Sequence, residues 1–291
     1  MMTTHSCSNG NDDDCLLPPE HMQSYKVINN TKVSSDSNLL TIALPNERSI
    51  LGWEHDIPTC ISISKTEEDS GNILKKSYSP ISHPSQPHNF QLLVKAYPHR
   101  ISGGVGSYLC NLQVGDEIQA KVKPQRIMHN YPHVHNRWKH VGLIAGGTGI
   151  APLYQLLMIL LKDCTCKIQV LSINRVEEDI LLKKELDDLV KEYSDRVSVT
   201  YSLTGSDMND DRGYKSGRGD TKLALEALPH PSLGKDVMIF VCGKDGFVKH
   251  WGGPVGRAPN KADGSKGKKI QGELLGILKA AGYDADQVFK Y

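Results

Sequence analysis

The stretch LIAGGTGIAPLYQLL, residues 143–157, constrains this chain more than any other: an apolar run, three glycines within four residues, then a second apolar run at helical spacing. A strand that empties through glycines into a helix leaves free backbone N–H groups and the positive end of a helix facing a crevice. The pattern therefore predicts an α/β unit that meets a flat or anionic ligand there. From Gly147 it reads G-x-G-x-x-P, with Pro152 where a dinucleotide fingerprint has its third glycine. No Gly-Lys-Ser/Thr follows, which excludes a Walker loop. Pro152 itself is placed near a helix start, where a missing N–H costs nothing.

The segments downstream alternate between strand and helix periodicity. HVGLIAGG, KIQVLSIN (167–174), RVSVTYSL (196–203), DVMIFVCG (236–243) and a short QVFKY read as strands. APLYQLLMILLKD, EEDILLKKELDDLVKEY (177–193), DTKLALEAL (220–228) and QGELLGILKAAGY (271–283) read as helices. Such alternation predicts a parallel sheet with helices on both faces. SDMNDDRGYKSGRGD (206–220) and GGPVGRAPNKADGSKGKK (252–269) interrupt it as loops rich in Gly, Pro and charge. The second follows a strand end, where α/β sheets place ligands.

Upstream, SNLLTIALP (37–45), TCISISKT (59–66) and FQLLVKAY (90–97) are strand-like. GSYLCNLQVGDEIQAKV (106–122) reads as a helical turn or two, a Gly115-Asp116 turn and a strand. Several short strands with one helix predict a small antiparallel barrel. The reading is thus a disordered extension at 1–21, a barrel at 22–124, a linker at 125–140 and an α/β domain at 141–291. A chain of 291 residues accommodates both domains.

Charge narrows the partners. Lys and Arg number 34 against 33 Asp and Glu, so no basic excess points to nucleic acid. The seven cysteines are an odd number without a C-x-x-C pair, which fits a reduced, cytoplasmic setting. No run approaches the ~18 apolar residues of a membrane span. His129, His133, His135 and His140 cluster in the linker without carboxylate or cysteine neighbours, and no metal site is expected from them.

At AGGTGI-x-P the sequence resembles the ferredoxin–NADP reductase superfamily, and its surroundings look most like NADH–cytochrome b5 reductases. The resemblance runs from about residue 22 through nearly the whole chain. KKSYSP matches the family's flavin motif R-x-Y-[ST] through Lys76, Ser77, Tyr78 and Ser79; LLVKAY matches its flavin-lining strand through Val94, Lys95 and Tyr97. GGVGSYL matches its pyrophosphate segment through Gly104, Val105, Gly106 and Ser107, and FVCG its nicotinamide-adjacent cysteine through Cys242 and Gly243. ILLKKELDDL resembles the family's DILL-x-x-ELEEL helix.

The resemblance implies a barrel binding FAD and an α/β domain binding NADH, with NADPH left open, the nicotinamide entering a cleft between the two domains. Hydride passes to the flavin, and single electrons then pass to an acceptor such as a cytochrome b5-type haem protein. Ser79, Thr148 and Cys242 are the residues implied at the reacting atoms, with Tyr78 against the flavin ring and Gly147 beside the nicotinamide. Lys95 would compensate charge on the cofactor, and Lys75 and Lys123 would steer an acidic partner. A monomer is expected. A non-catalytic nucleotide-binding or redox-sensing module, or a reductase serving another oxygenase or desaturase, uses the same parts.

Three departures bear on these roles. Lys76 replaces the motif's arginine and lacks its planar fork. The family's C-G-P-P-x-M is here CGKDGF. A family acidic residue that disfavours a 2′-phosphate aligns with Thr204, which leaves the choice of nucleotide open.

Overall fold

A computed structural model describes residues 22–45, 51, 60–67, 70–83, 86–97, 104–123, 137–163, 165–205, 212–260, 267 and 269–291. The 1–21 extension, most of the 125–140 linker with His129, His133 and His135, and Cys164 lie outside the described residues. The chain forms two compact units, Met1–Asn130 and Tyr131–Tyr291.

In the first unit come β1 (Gln23–Ser34), β2 (Ser37–Ala43), β3 (Cys60–Thr66), β4 (Ile73–Tyr78), β5 (Asn89–Lys95), α1 (Gly104–Asn111) and β6 (Glu117–Lys123). The strands pair antiparallel in the order β4-β3-β6-β1-β2-β5. The two outer strands also approach each other: Pro80 bridges Leu92, and the Ile81 N–H donates to Gln91 O at 2.9 Å, which curls the sheet towards a barrel. Alternate residues point inward, among them Leu40 and Ile42 of β2, Ile61 and Ile63 of β3, and Leu92 and Val94 of β5. Val105 and Leu109 of α1 pack into the same core.

The sequence reading names neither β1 nor β4 as a strand. β1 is twelve residues long and mostly exposed, with register shifts at Val27/Asn29 and Lys32/Ser34. Its polar NNTK centre therefore hides the alternation.

The second unit runs β7 (His140–Gly146), α2 (Ile150–Asp163), β8 (Lys167–Asn174), α3 (Lys183–Glu192), β9 (Val197–Leu203), β10 (Lys215–Ser216), α4 (Thr221–Ala227), β11 (Val237–Cys242), α5 (Asp245–Gly252), β12 (Gly256–Arg257), β13 (Lys269–Ile270), α6 (Gly276–Ala280) and β14 (Val288–Lys290). A parallel sheet has the order β10-β9-β8-β7-β11-β14. Connections from β7 run one way along the sheet and those from β11 the other. The C-terminal ends of β7 and β11 therefore border the switch point where open α/β sheets bind ligands.

Two expected helices are cut short. The 177–193 segment is a 3-10 turn over Glu177–Asp179, a break with Leu182 at φ 58°, then α3. Leu182, between the buried Ile180 and Leu181 and the start of α3, holds a left-handed backbone that a residue inside an α-helix does not adopt, and this separates the two pieces. The 271–283 segment is helical only over Gly276–Ala280. Gly272 and Gly276 hold φ of 63° and 69° there, and a Cβ on Gly276 would lie 2.3 Å from His250 O. Two elements also emerge from expected loops: the β12–β13 ladder at the base of the 252–269 insertion, and β10 within 206–220. α5 goes unrecognised in the sequence because Gly246 and Gly252 dilute its apolar pattern.

Candidate functional site

In the first unit the ends of β4 and β5 and the start of α1 meet. A Cβ on Gly106 would stand 2.4 Å from Lys95 O and 3.8 Å from the Tyr78 hydroxyl, so α1 enters against the end of β5 only because residue 106 has no side chain. Gly104 opens the helix at φ 61°. In its first turn Ser107 Oγ is buried with no hydrogen-bond partner among the described residues. A buried hydroxyl without a partner carries a desolvation cost, and the free N–H groups of the same turn favour an anion. These features fit a diphosphate.

Lys76 Nζ lies over two rings, 5.4 Å from the centroid of Tyr78 and 5.0 Å from that of Tyr97. The structure thus gathers Lys76 and Tyr78 of β4 with Tyr97, just beyond β5. Ser77 Oγ accepts from Lys123 Nζ at 2.9 Å, and Ser79 follows half-buried beyond the end of β4. Lys75 is exposed.

Three residues sit differently from their expected roles. Val94 and Val105 face the barrel core, so they offer a ligand only backbone. Lys95 is ion-paired with Asp36 at 2.6 Å. Burial pushes the Asp36 carboxyl upward, but Lys95, Ser37 and Ser34 outweigh it and hold the group below its ordinary value.

In the second unit the glycine turn is a 3-10 turn, Gly147–Gly149, between β7 and α2. Pro152 lies in the first turn of α2, where the sequence placed it. Cys242 ends β11 as the Cα partner of Ala145. A Cβ on Gly149 would stand 2.2 Å from Cys242 O, so the turn rests backbone to backbone on β11. Below it, the Phe247 ring closes on both Gly146 and Gly243, where Cβ atoms would come within 2.8 and 2.6 Å of its carbons. On its outer side Gly147, at φ 54°, has nothing within 4 Å of where a side chain would start. The half-buried Thr148 stands next to this open backbone cradle, which fits a flat ligand.

Burial pushes the Cys242 thiol up to about 12, against smaller opposing effects of Lys269 and the Gly243 backbone N–H. The group is a neutral thiol at physiological pH. Phe247 is a residue that the sequence reading did not single out; its signal was its place in CGKDGF, at the methionine of C-G-P-P-x-M.

Thr204 is not brought to this cluster. It is exposed beyond β9, three strands from β11 in the sheet order and so roughly 14 Å along the edge. Its N–H donates to Asn174 O at 2.9 Å. Nearby, Glu177 pairs with Arg212 and accepts from the Tyr214 hydroxyl at 2.5 Å. Among the described residues no group of three or more His, Cys, Asp or Glu could hold a metal ion, and no helix is long and apolar enough to cross a membrane.

The two units match two domain families in succession: an oxidoreductase FAD-binding domain over residues 24–127 and an oxidoreductase NAD-binding domain over residues 143–252. The chain is 33% identical over 263 residues to NADH-cytochrome b5 reductase 2 of Emericella nidulans, covering 89% of this chain and 74% of that one. It is 30% identical over 262 residues to NADH-cytochrome b5 reductase 2-A of Vanderwaltozyma polyspora, covering 89% and 80%. Among solved structures, the cytochrome b5 reductase domain of Ulva prolifera nitrate reductase aligns over 95% of this chain and 100% of that one, with a TM-score of 0.71 at 21% identity.

Proposed function

The chain belongs to the FAD- and NAD-binding oxidoreductases of the ferredoxin–NADP reductase superfamily, alongside the NADH–cytochrome b5 reductases, and on that footing we propose that it reduces a cytochrome b5-type haem protein at the expense of NADH. FAD, when bound, would supply the redox chemistry, coupling two-electron hydride acceptance to single-electron release. The protein binds, orients and tunes.

In the first unit Ser107 Oγ and the opening N–H groups of α1 receive the FAD diphosphate. Tyr78, with the Lys76 charge beside its ring, and Ser79 would hold the isoalloxazine. Lys95 acts through Asp36, fixing the end of β5. In the second unit Gly147 and Thr148 present backbone and hydroxyl to the nicotinamide, with Cys242 and Gly243 as the opposing wall. A neutral Cys242 thiol packs there and excludes water; it is not a nucleophile. Thr204 lies at the far end of the edge, a separation that an extended dinucleotide bridges, and meets its adenosine half.

The observation that carries this reading is the glycine turn, closed inward on Cys242 and open outward at Gly147, at the switch point of the sheet. The test is a spectrum of the purified full chain, followed by anaerobic titration with NADH and with NADPH. Flavin absorbance that bleaches with NADH is expected. Absence of any flavin band after reconstitution with FAD would overturn the reading.

Transfer to cytochrome b5 is then followed against ionic strength, and rates that fall with salt are expected from steering by exposed lysines such as Lys75. A cytoplasmic, monomeric protein is part of the same proposal. Among the described residues, Cys110 and Cys242 carry thiols, in keeping with a reduced setting. Cell fractionation and light scattering test the two points.

A further inference from the structure

One ring lies beneath both loops of the nicotinamide site. From the core side Phe247 of α5 meets Gly146, at the end of β7, and Gly243, just beyond β11. A Cβ on Gly146 would stand 2.8 Å from Phe247 Cγ, and one on Gly243 3.0 Å from the same atom. Cγ is the root of the ring, so turning the side chain clears neither position. Neither glycine is there for its backbone: Gly146 has φ −109° and ψ 108°, and Gly243 also lies outside the positive-φ region. Both positions lack a side chain because the ring occupies the space.

The ring has no room to retreat. Trp251, one turn further along α5, is fully buried, with ring centroids 6.4 Å apart. Behind the Trp251 ring stands Gly219, at φ 93°, where a Cβ would lie 2.2 Å from Cζ2.

α5 is itself anchored at its C-terminal end. Beyond Gly252 the chain leaves it through a neck beneath the β12–β13 ladder, where Gly253 and Gly272 hold φ of 85° and 63°. A Cβ on Gly253 would stand 2.6 Å from Glu273 O, and one on Gly272 2.5 Å from Pro254 O, so the two legs touch backbone to backbone. The buried Lys290 ammonium donates to Pro254 O at 3.1 Å, Gly272 O at 3.3 Å and Glu273 O at 2.8 Å. The Gln271 amide accepts from Lys290 N at 2.7 Å and donates to Lys290 O at 3.1 Å. Lys290 is the Cα partner of Val241, so the neck ties α5 to the C-terminal end of β11, one residue from Cys242.

We propose that Phe247 is a positioning residue for hydride transfer: its ring sets the separation between the Gly146–Thr148 turn and the Cys242–Gly243 wall. This rests on the nucleotide reading above. The turn is open outward at Gly147, so its place is fixed from within, by Cys242 O against Gly149 and by the Phe247 ring. The family's C-G-P-P-x-M holds this loop with two prolines of fixed φ; CGKDGF has neither, and the ring supplies the stiffness by packing. A misplacement of about 1 Å at a reacting centre costs about a hundredfold in rate.

The experiment uses the FAD-loaded full chain with Phe247→Leu, Gly146→Ala and the double variant Gly146→Ala/Phe247→Leu. Stopped-flow reduction of the flavin is followed over a range of NADH concentrations, with melting temperature measured beside it. Each single change is expected to lower the limiting rate about tenfold with the flavin spectrum unchanged, since one leaves a void under the turn and the other drives a methyl into the ring. In the double variant the methyl refills the void, and the limiting rate is expected to return to within about threefold of the unaltered protein. NADH deuterated at the transferred hydrogen is expected to slow the single variants further, which places the loss in the hydride step.

Unchanged limiting rates in both single variants overturn the proposal. So does a slowed variant without an isotope effect, and so does a double variant no faster than the slower single, because sites that share no packing add rather than compensate. Phe247→Met, the family's residue at this place, carries the same comparison if leucine costs the fold. If the unaltered protein is not reduced by either nucleotide, the functional reading fails, while the packing link is still read from whether the double variant recovers the melting temperature.

Discussion

Gly149 and Cys242 touch backbone to backbone: the position of a Cβ on residue 149 falls 2.2 Å from the carbonyl oxygen of residue 242. The loop that opens α2 is thereby seated on the end of β11. Gly149→Ala must push the two apart. Overpacking of this kind costs about 1–3 kcal/mol. A melting temperature lower by several degrees is expected, together with slowed flavin reduction by NADH in stopped flow. Unaltered stability would mean that the turn is not seated as described.

Ser107→Ala separates a ligand role from a structural one. The hydroxyl is buried without a partner, so its removal costs the apoprotein nothing and relieves a desolvation penalty. The apoprotein is expected to melt at the same temperature or slightly higher. The FAD dissociation constant, followed by fluorescence, is expected to rise about tenfold to a hundredfold with the loss of one bond to a charged group.

Cys242 is expected to resist alkylation. With its thiol pushed up to about 12 from an ordinary value of 9.0, the thiolate fraction at pH 8 is about a thousandfold lower than for an unperturbed cysteine. Mass spectrometry after timed iodoacetamide exposure measures this. Cys242→Ser is expected to keep hydride transfer within about tenfold, since one packing contact changes and no nucleophile is lost.

Thr204→Asp restores a carboxylate at the adenosine end of the site. Against a 2′-phosphate it is expected to raise the KM for NADPH by about tenfold, from like-charge repulsion near a protein surface, and to leave NADH nearly unchanged. An equal effect on both nucleotides would place residue 204 away from the ribose.

The Lys95–Asp36 pair predicts an acid-sensitive barrel. A carboxyl held below its ordinary value contributes stability that is present above that value, 3.8, and is lost as pH falls through the lower folded-state value. Lys95→Met is expected to remove this component. Its melting temperature should then depend less on pH below 4 than that of the unaltered protein.

The glycine turn, the β-α alternation and the family resemblance were legible because each rests on local patterns in which neighbouring residues carry the signal. The breaks at Leu182 and Gly276 were not. The left-handed backbone at Leu182 leaves no mark in an apolar, helix-favouring stretch, and Gly276 is required by the carbonyl of His250 in α5. The partner of Lys95 was equally hidden, since Asp36 is remote in sequence and reaches it only through the pairing of β2 with β5. Phe247 had a sequence signal in CGKDGF, but its contact with two glycines exists only once β7 and β11 lie side by side.

The neck beneath β12 and β13 has a consequence for how this chain tolerates change. Lys290, Gln271 and two glycines pin both legs at their base, so a change in the length of the β12–β13 connection is not transmitted to the sheet. Doubling such a loop costs only about 0.6 kcal/mol in closure entropy. That connection is therefore a natural port for inserted sequence: an epitope or fluorescent peptide spliced there should leave the melting temperature within about a degree or two, whereas the same insertion in the Gly147 turn should not.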